Sequence, residues 1–333
     1  MKRIASLALA LLLLGSLLAG CKTEIPVVTR TSFLLDTIVT ITLYDWHDAT
    51  TMDQAMEEIG RLEALLSVEK EGSDLDRLAK AAGKDWVEIA PETQEVLTQA
   101  KEFYTLSGGY FDVTAGPLID LWGIRDQETG HFPTDQERQA ALSLINNDDL
   151  LVEDGRACLT RPGMKVNLGG IAKGYIADKV KRLLVSEGVE HAVIDLGRNI
   201  LLIGGHPNGQ NFPIGIQDPL APQGTVLGKL EADGKSVVTS GTNERYFVYE
   251  GKRYHHVLDP FTGFPSENGV IAVTILSDSS IQGDALSTTC LLLGLNKGMD
   301  LIESLPDVEA LFILEDGTQH MTGGFPFTPS AES

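Results

Sequence analysis

The hydrophobic period of this chain changes once, near residue 190, and that change restricts the fold more than any other feature. Before it, apolar residues recur at helical spacing in three long segments. Ala55, Met56, Ile59, Leu62, Leu65 and Leu66 mark a helix over 53–66, and Val96, Leu97, Ala100, Phe103 and Tyr104 mark one over 93–106. Ile171, Ile176, Val180, Leu183 and Leu184 mark a third over about 171–186. A strand over 37–44 precedes them, and a short helix ending near 145 follows a polar, Gly/Pro-bearing loop at 126–134. After residue 190 the chain reads as strands at 192–196, 199–203, 212–216, 237–240, 246–249, 270–276 and 310–314, with one helix over 284–293. Strands that follow one another through short turns pair antiparallel, so the pattern predicts an α+β architecture rather than a doubly wound sheet.

The first thirty residues stand apart from that body. Lys2 and Arg3 form a basic start, and the apolar run from Ile4 to Leu18 is shorter than the roughly 20 residues a spanning helix needs. Leu18-Ala19-Gly20-Cys21 closes it with small residues before a cysteine, which resembles a lipobox. The expectation is a lipoprotein signal at 1–20, lipidation of Cys21, a tether over 21–30 and one domain over 31–333. The alternative is a plain secretory signal with an incidental cysteine. Several acyl chains on Cys21 would hold the protein on a cell membrane, exported to its periplasmic or extracytoplasmic face.

A formal net charge of −21 argues against nucleic acid or an anionic lipid surface as partner. It also means that an anionic ligand needs a metal or aimed backbone N–H groups to offset repulsion. Beyond Cys21 only Cys158 and Cys290 remain; an oxidising compartment would let them pair, but each lies in an apolar stretch, where a small buried hydrophobe is the expected role.

Three stretches concentrate glycine, hydroxyl and acidic residues. In Gly109-Tyr-Phe-Asp-Val-Thr-Ala-Gly-Pro-Leu118, Asp112 either meets a ligand or caps the next helix. In Val166-Asn-Leu-Gly-Gly-Ile-Ala-Lys-Gly-Tyr-Ile-Ala-Asp178, a glycine pair at a helix start lets backbone N–H groups approach a phosphate, with Lys173 one turn inside. The glycine spacing fits neither a Walker A loop nor GxGxxG, and tight helix–strand packing explains the glycines equally well. In Gly283-Asp-Ala-Leu-Ser-Thr-Thr289, Asp284, Ser287 and Thr288 fall at i, i+3 and i+4 on one helix face. Their hard oxygens suit Mg²⁺, and the competing reading makes Asp284 the cap of its own helix. Between these stretches, His255-His256-Val-Leu-Asp-Pro-Phe-Thr-Gly263 ends a strand in an Asp-Pro turn.

Together these stretches resemble the ApbE family of FAD:protein FMN transferases over about residues 31–325. The blocks stand in that family's order: Leu35-Asp36-Thr37, Phe111-Asp-Val-Thr-Ala-Gly-Pro-Leu118 with Trp122-Gly123, Asn167-Leu-Gly-Gly-Ile-Ala-Lys-Gly-Tyr175, Asp195-Leu-Gly-Arg-Asn199, Ser240-Gly-Thr-Asn-Glu-Arg-Tyr246, His256-Val-Leu-Asp-Pro260 and Asp284-Ala-Leu-Ser-Thr-Thr289. Three departures stand out: Leu35-Asp36 where most members read Met-Gly, Asn167 where they read Asp, and Arg198 where they read Gly. The resemblance implies a T-fold-like core, mostly antiparallel sheet with packed helices. It implies Mg²⁺ held by the Gly170 carbonyl, Asp284, Ser287 and Thr288, and FAD contacted by Leu35, Ser67, Tyr110, Phe111, Asp112, Asn167, Lys173, His256 and Leu258.

The implied reaction moves the FMN half of FAD onto a Thr or Ser hydroxyl of a client flavoprotein of a membrane redox complex, releasing AMP. His256 is the expected general base, with Asp284 or a metal-bound water as its rivals. An FAD pyrophosphatase using water as acceptor, or a lipoprotein that only binds FAD, would need the same site.

Overall fold

Residues 27–44, 49–124 and 130–330 are described by a computed structural model of the chain. The leader, Cys21 and residues 126–129 of the polar loop lie outside the described residues. The N-terminal half comprises β1 (Val28–Leu34), β2 (Thr37–Leu43), α1 (Ala49–Leu66), α2 (Asp74–Ala81), β3 (Val87–Glu88), α3 (Pro91–Leu106), α4 (Gly116–Trp122), α5 (Asp135–Leu142), β4 (Leu150–Glu153), β5 (Arg156–Leu159) and α6 (Ala172–Ser186). Then come β6 (Ala192–Asp195), β7 (Asn199–Ile203), β8 (Phe212–Gln217), β9 (Val226–Ala232), β10 (Ser236–Gly241), β11 (Tyr246–Tyr249), β12 (Lys252–His255) and β13 (Val270–Ser277). The chain closes with α7 (Ser280–Glu303), β14 (Glu309–Leu314), β15 (Gln319–Met321) and β16 (Phe327–Pro329).

The largest sheet runs β1-β2-β6-β7-β10-β13-β14-β15, and each neighbouring pair is antiparallel. The fold is therefore α+β with a mostly antiparallel sheet, as the change of period predicts. Period-two alternation sends adjacent residues to opposite faces. Leu201 joins the core under α1 and α6, while its neighbour Leu202 joins the core under β8 and β9. Helix α7 packs on β13 and β14 through Leu286, Cys290 and Leu291. A fourth cluster surrounds the fully buried Trp122, whose indole N–H donates to the Gly263 carbonyl at 2.8 Å.

Elements α2, β3, β4, β5, β9, β15 and β16 are absent from the sequence reading, β12 enters it only as the strand that ends at the histidine pair, and two further differences have definable reasons. Strand β1 begins at Val28, so residues 28–30 belong to the sheet and not to a tether. Helix α7 begins at Ser280, one turn before 284, and its regular first half ends at Gly294, where φ is 75° and ψ −179°. Asn268 covers that break, its side-chain amide donating to the carbonyls of Leu291 (2.7 Å) and Leu292 (3.2 Å). Cys158 and Cys290 are both free thiols, Cys290 fully buried and Cys158 partly so.

Candidate active site

The site is organised by the N-terminal ends of α6 and α7. They meet so closely that a Cβ on Gly174 would overlap the Ser280 carbonyl and the Ile281 Cα, so only glycine fits. Neither helix is capped by its own flanking side chain. Each is capped by the other. Asp178 of α6 accepts the N–H groups of Ser280 and Ile281, each at 3.0 Å, and the Ser279 hydroxyl at 2.9 Å. Asp284 of α7 accepts the Gly174 N–H at 2.9 Å. Asp284 is thus a cap, but of α6 and not of its own helix, because Asp178 already starts α7 one turn earlier.

Burial pushes the Asp284 carboxyl up to about 6, opposed by the Gly174 N–H and the positive charge of Lys173. Among the described residues it has no ion-pair partner, so a buried acid stands ready for a cation. Two hydroxyls stand on the same helix, at Ser287 and Thr288. A Cβ on Gly170 would lie 3.1 Å from the Thr288 hydroxyl and 3.2 Å from the Phe111 ring, a cradle that a side chain would fill. The Ser287 hydroxyl donates to the Asp284 carbonyl at 2.9 Å and lies 2.7 Å from the Ser240 hydroxyl. One carboxylate, two hydroxyls and the Gly170 carbonyl fit a hard, oxygen-seeking Mg²⁺. Among the described residues no three His, Cys, Asp or Glu side chains gather in the manner of a softer metal site.

The glycine turn is tied to the 109–118 stretch. The Asn167 side-chain carbonyl accepts the Gly169 N–H at 2.8 Å, and the Asn167 N–H donates to the Val113 carbonyl at 2.8 Å. That oxygen keeps a second lone pair, so Asn167 retains both acceptor and donor capacity. Asp112 accepts both the N–H (2.8 Å) and the hydroxyl (2.6 Å) of Thr114. It braces the approach to α4 without capping it, since the cap position is Ala115. Burial raises the Asp112 carboxyl, and the Thr114 bonds oppose that.

Around this floor stand groups with looser holds. Lys173 is half-buried and makes no ion pair among the described residues, yet its charge acts on Asp195, His256 and Asp284 together. His256 Nδ1 lies 3.1 Å from the Arg245 carbonyl. A carbonyl only accepts, so Nδ1 carries the proton and Nε2 presents a lone pair. Burial lowers this imidazole to about 4, so it is neutral at ordinary pH. Tyr110 packs edge-on against Phe261 at 4.9 Å, and Phe261 is 58% exposed.

Leu35 and Asp36 form the two-residue turn between β1 and β2, both with positive φ (56° and 55°). Gly197 and Arg198 form the matching turn between β6 and β7, and a Cβ on Gly197 would overlap Thr37, so the two tips adjoin. Arg198 reaches from its tip to Glu244 at 2.7 Å.

Two of the expected FAD contacts have side chains engaged within the protein. The Leu258 side chain is buried in the Trp122 cluster, leaving only its backbone for a ligand. Ser67 follows α1 directly and accepts the Glu69 N–H at 3.3 Å. Three residues that matter carry no role in the sequence reading: Asp178, Ser240 and Asn199. Asn199 is 2% exposed, accepts the Ser280 hydroxyl at 2.6 Å and leaves its amide nitrogen unpartnered. All three lie inside the conspicuous motif blocks, which was the available signal.

The model of the family described as "ApbE family" matches residues 35–312. A protein of Klebsiella pneumoniae (strain 342) named FAD:protein FMN transferase is 34% identical over 293 residues, covering 87% of this chain and 90% of its own. One of the same name from Treponema pallidum (strain Nichols) is 31% identical over 341 residues, covering 97% and 93%. The crystal structure of the ApbE protein of Thermotoga maritima MSB8 superposes with a TM-score of 0.82 at 30% identity, over 90% of this chain and 97% of that one. The flavin transferase ApbE of Vibrio cholerae gives a TM-score of 0.82 at 27% identity, over 91% and 99%.

Proposed function

The chain belongs to the ApbE family, and from that premise we propose that it is an FAD:protein FMN transferase whose acceptor is a Thr or Ser hydroxyl of a client flavoprotein. The observation that carries this reading is the buried acid Asp284 at the α6–α7 contact, unpaired among the described residues, with the Ser287 hydroxyl one turn on and the Thr288 hydroxyl against the Gly170 backbone. A pyrophosphate needs its charge offset before an oxygen nucleophile can approach, and a protein of net charge −21 makes that need acute.

Bound at Asp284, Ser287, Thr288 and the Gly170 carbonyl, Mg²⁺ would supply Lewis-acid polarisation of phosphate oxygens. The chain's own groups do the rest. The Gly169-Gly170 turn, which carries no side chain, lets the backbone approach a phosphate closely, and Lys173 adds a cation. His256 Nε2 takes the proton of the acceptor hydroxyl as its oxygen bonds to the flavin-side phosphorus. The bond from that phosphorus to the bridging oxygen breaks, and AMP leaves with the electron pair. Tyr110 and the exposed Phe261 offer an apolar face for the isoalloxazine ring.

Incubation of the protein with FAD, Mg²⁺ and a candidate client, followed by denaturing electrophoresis, tests the reading. Flavin fluorescence on the client band supports it. Free FMN with a dark band means that water is the acceptor, and intact FAD means binding alone. We further propose that Cys21 is lipidated and holds the enzyme at the outer face of a cell membrane, on the strength of the Leu18-Ala19-Gly20-Cys21 sequence. Cys21→Ser should move activity from the membrane to the soluble fraction; activity that stays with the membrane contradicts the anchor.

A further inference from the structure

Three features lie outside the catalytic scheme: the exposed Phe33–Ile38 pair on the β1–β2 hairpin, the Arg198–Glu244 ion pair, and the Ser240–Ser287 hydroxyl pair. The hydroxyl pair goes furthest, because counting protons fixes its direction. A hydroxyl has one proton and two lone pairs. Ser287 gives its proton to the Asp284 carbonyl at 2.9 Å. The 2.7 Å contact between Ser240 and Ser287 therefore uses the proton of Ser240 and one lone pair of Ser287. Ser287 is fully buried and Ser240 half-buried. One lone pair of Ser287 remains, held in a fixed direction.

We propose that Ser240 is a positioning residue, which orients the Ser287 hydroxyl so that its remaining lone pair serves the divalent cation. The proposal rests on the Asp284-centred metal reading above. It gives the segment from Ser240 to Arg245 two roles, since its first residue sets a metal ligand and the carbonyl of its last fixes the proton of His256. Partners behind the ligands commonly change metal affinity about 10–100-fold. A hydroxyl-to-hydroxyl contact belongs at the lower end.

Mn²⁺, which takes the same hard oxygen ligands as Mg²⁺, is titrated alone into the purified protein, with the free ion read by electron paramagnetic resonance. Melting temperatures of every variant are recorded alongside. Ser240→Ala should raise the Mn²⁺ Kd about tenfold with little change in melting temperature, and Ser240→Thr, which keeps the hydroxyl, should stay within about twofold. The double variant with Ser287→Ala should bind no more weakly than Ser287→Ala alone, because Ser240 acts only through Ser287. Additive losses, or unchanged affinity in Ser240→Ala, overturn the proposal. Asp284→Asn separates the layers. If it abolishes Mn²⁺ binding while Ser240→Ala binds normally, Ser240 has no positioning role and the metal reading stands. Mn²⁺ binding that survives Asp284→Asn refutes the metal reading, and the role of Ser240 with it.

Discussion

The floor of the site and its rim are built on opposite terms. On the floor, α6 and α7 cap each other, Gly174 sits against backbone, and Asp284, Ser287 and Asp178 each have defined partners. On the rim, Lys173 makes no ion pair among the described residues, Phe261 is largely exposed, and Leu35-Asp36 forms a turn with both residues at positive φ. Charge developing at a phosphate rewards groups that are already aimed, because they need not reorganise during the reaction. A large planar ring and a protein acceptor must enter and leave, and that calls for surfaces not yet committed. Rigidity is concentrated where phosphate chemistry would happen and withheld where binding would.

Substitutions ranked by expected effect can break this contrast. Asp284→Asn, which keeps the shape and removes the charge, should lower the rate of FMN transfer on the order of 10³-fold; a loss below about tenfold, measured under saturating FAD and Mg²⁺, would reduce Asp284 to a helix cap. Asp178→Ala leaves the start of α7 uncapped. It should cost about 1–2 kcal/mol in denaturant unfolding and slow transfer several-fold, since Asp284 rides on that turn. Normal transfer in a destabilised protein would show that the two caps are independent.

His256 gives the contrast a pH signature. Its imidazole is lowered to about 4 from an ordinary value near 6.5. The base form therefore persists through the acid range, and the acid limb of kcat/KM attributable to it should fall near pH 4. The stability linkage has the same sign. Between those two values the folded protein binds fewer protons here than the unfolded chain, so this contribution is complete above about 6.5 and is lost as pH falls toward 4. His256→Asn should remove both the limb and that part of the slope of stability against pH. A limb that remains in the variant assigns the proton transfer elsewhere.

The smallest effect is expected at the rim. Asp36→Gly puts into the β1–β2 turn a residue that accepts positive φ freely, and should stabilise the fold by no more than about 1 kcal/mol without altering metal affinity. A change in metal affinity on that substitution would mean that rim and floor are coupled.

What could be foreseen divides along similar lines. Seven strands after residue 190 are legible because alternation and short turns leave little choice, whereas β9, β15 and β16 are not read and β12 only at its histidine end; the i, i+3, i+4 placement of Asp284, Ser287 and Thr288 follows from helix geometry. Strand β1 is not legible in the sequence because Thr29, Arg30 and Thr31 are exposed on an edge and carry no apolar period. The start of α7 was misplaced because its cap comes from Asp178, 102 residues before Ser280. Both acids are plain in the sequence, but their exchange across two helices is not. Leu258 was assigned through its block, and its own position shows the side chain turned into the core.

The central claim is that the α6–α7 floor serves transfer of FMN to a protein rather than to water. Its most direct test counts AMP released and FMN covalently bound to the acceptor in one reaction, for the natural chain and for Asp284→Asn. The account predicts equal amounts of the two products in the first case and, over the same time, on the order of 10³-fold less of both in the second. AMP accompanied by free FMN and an unmodified acceptor would contradict it.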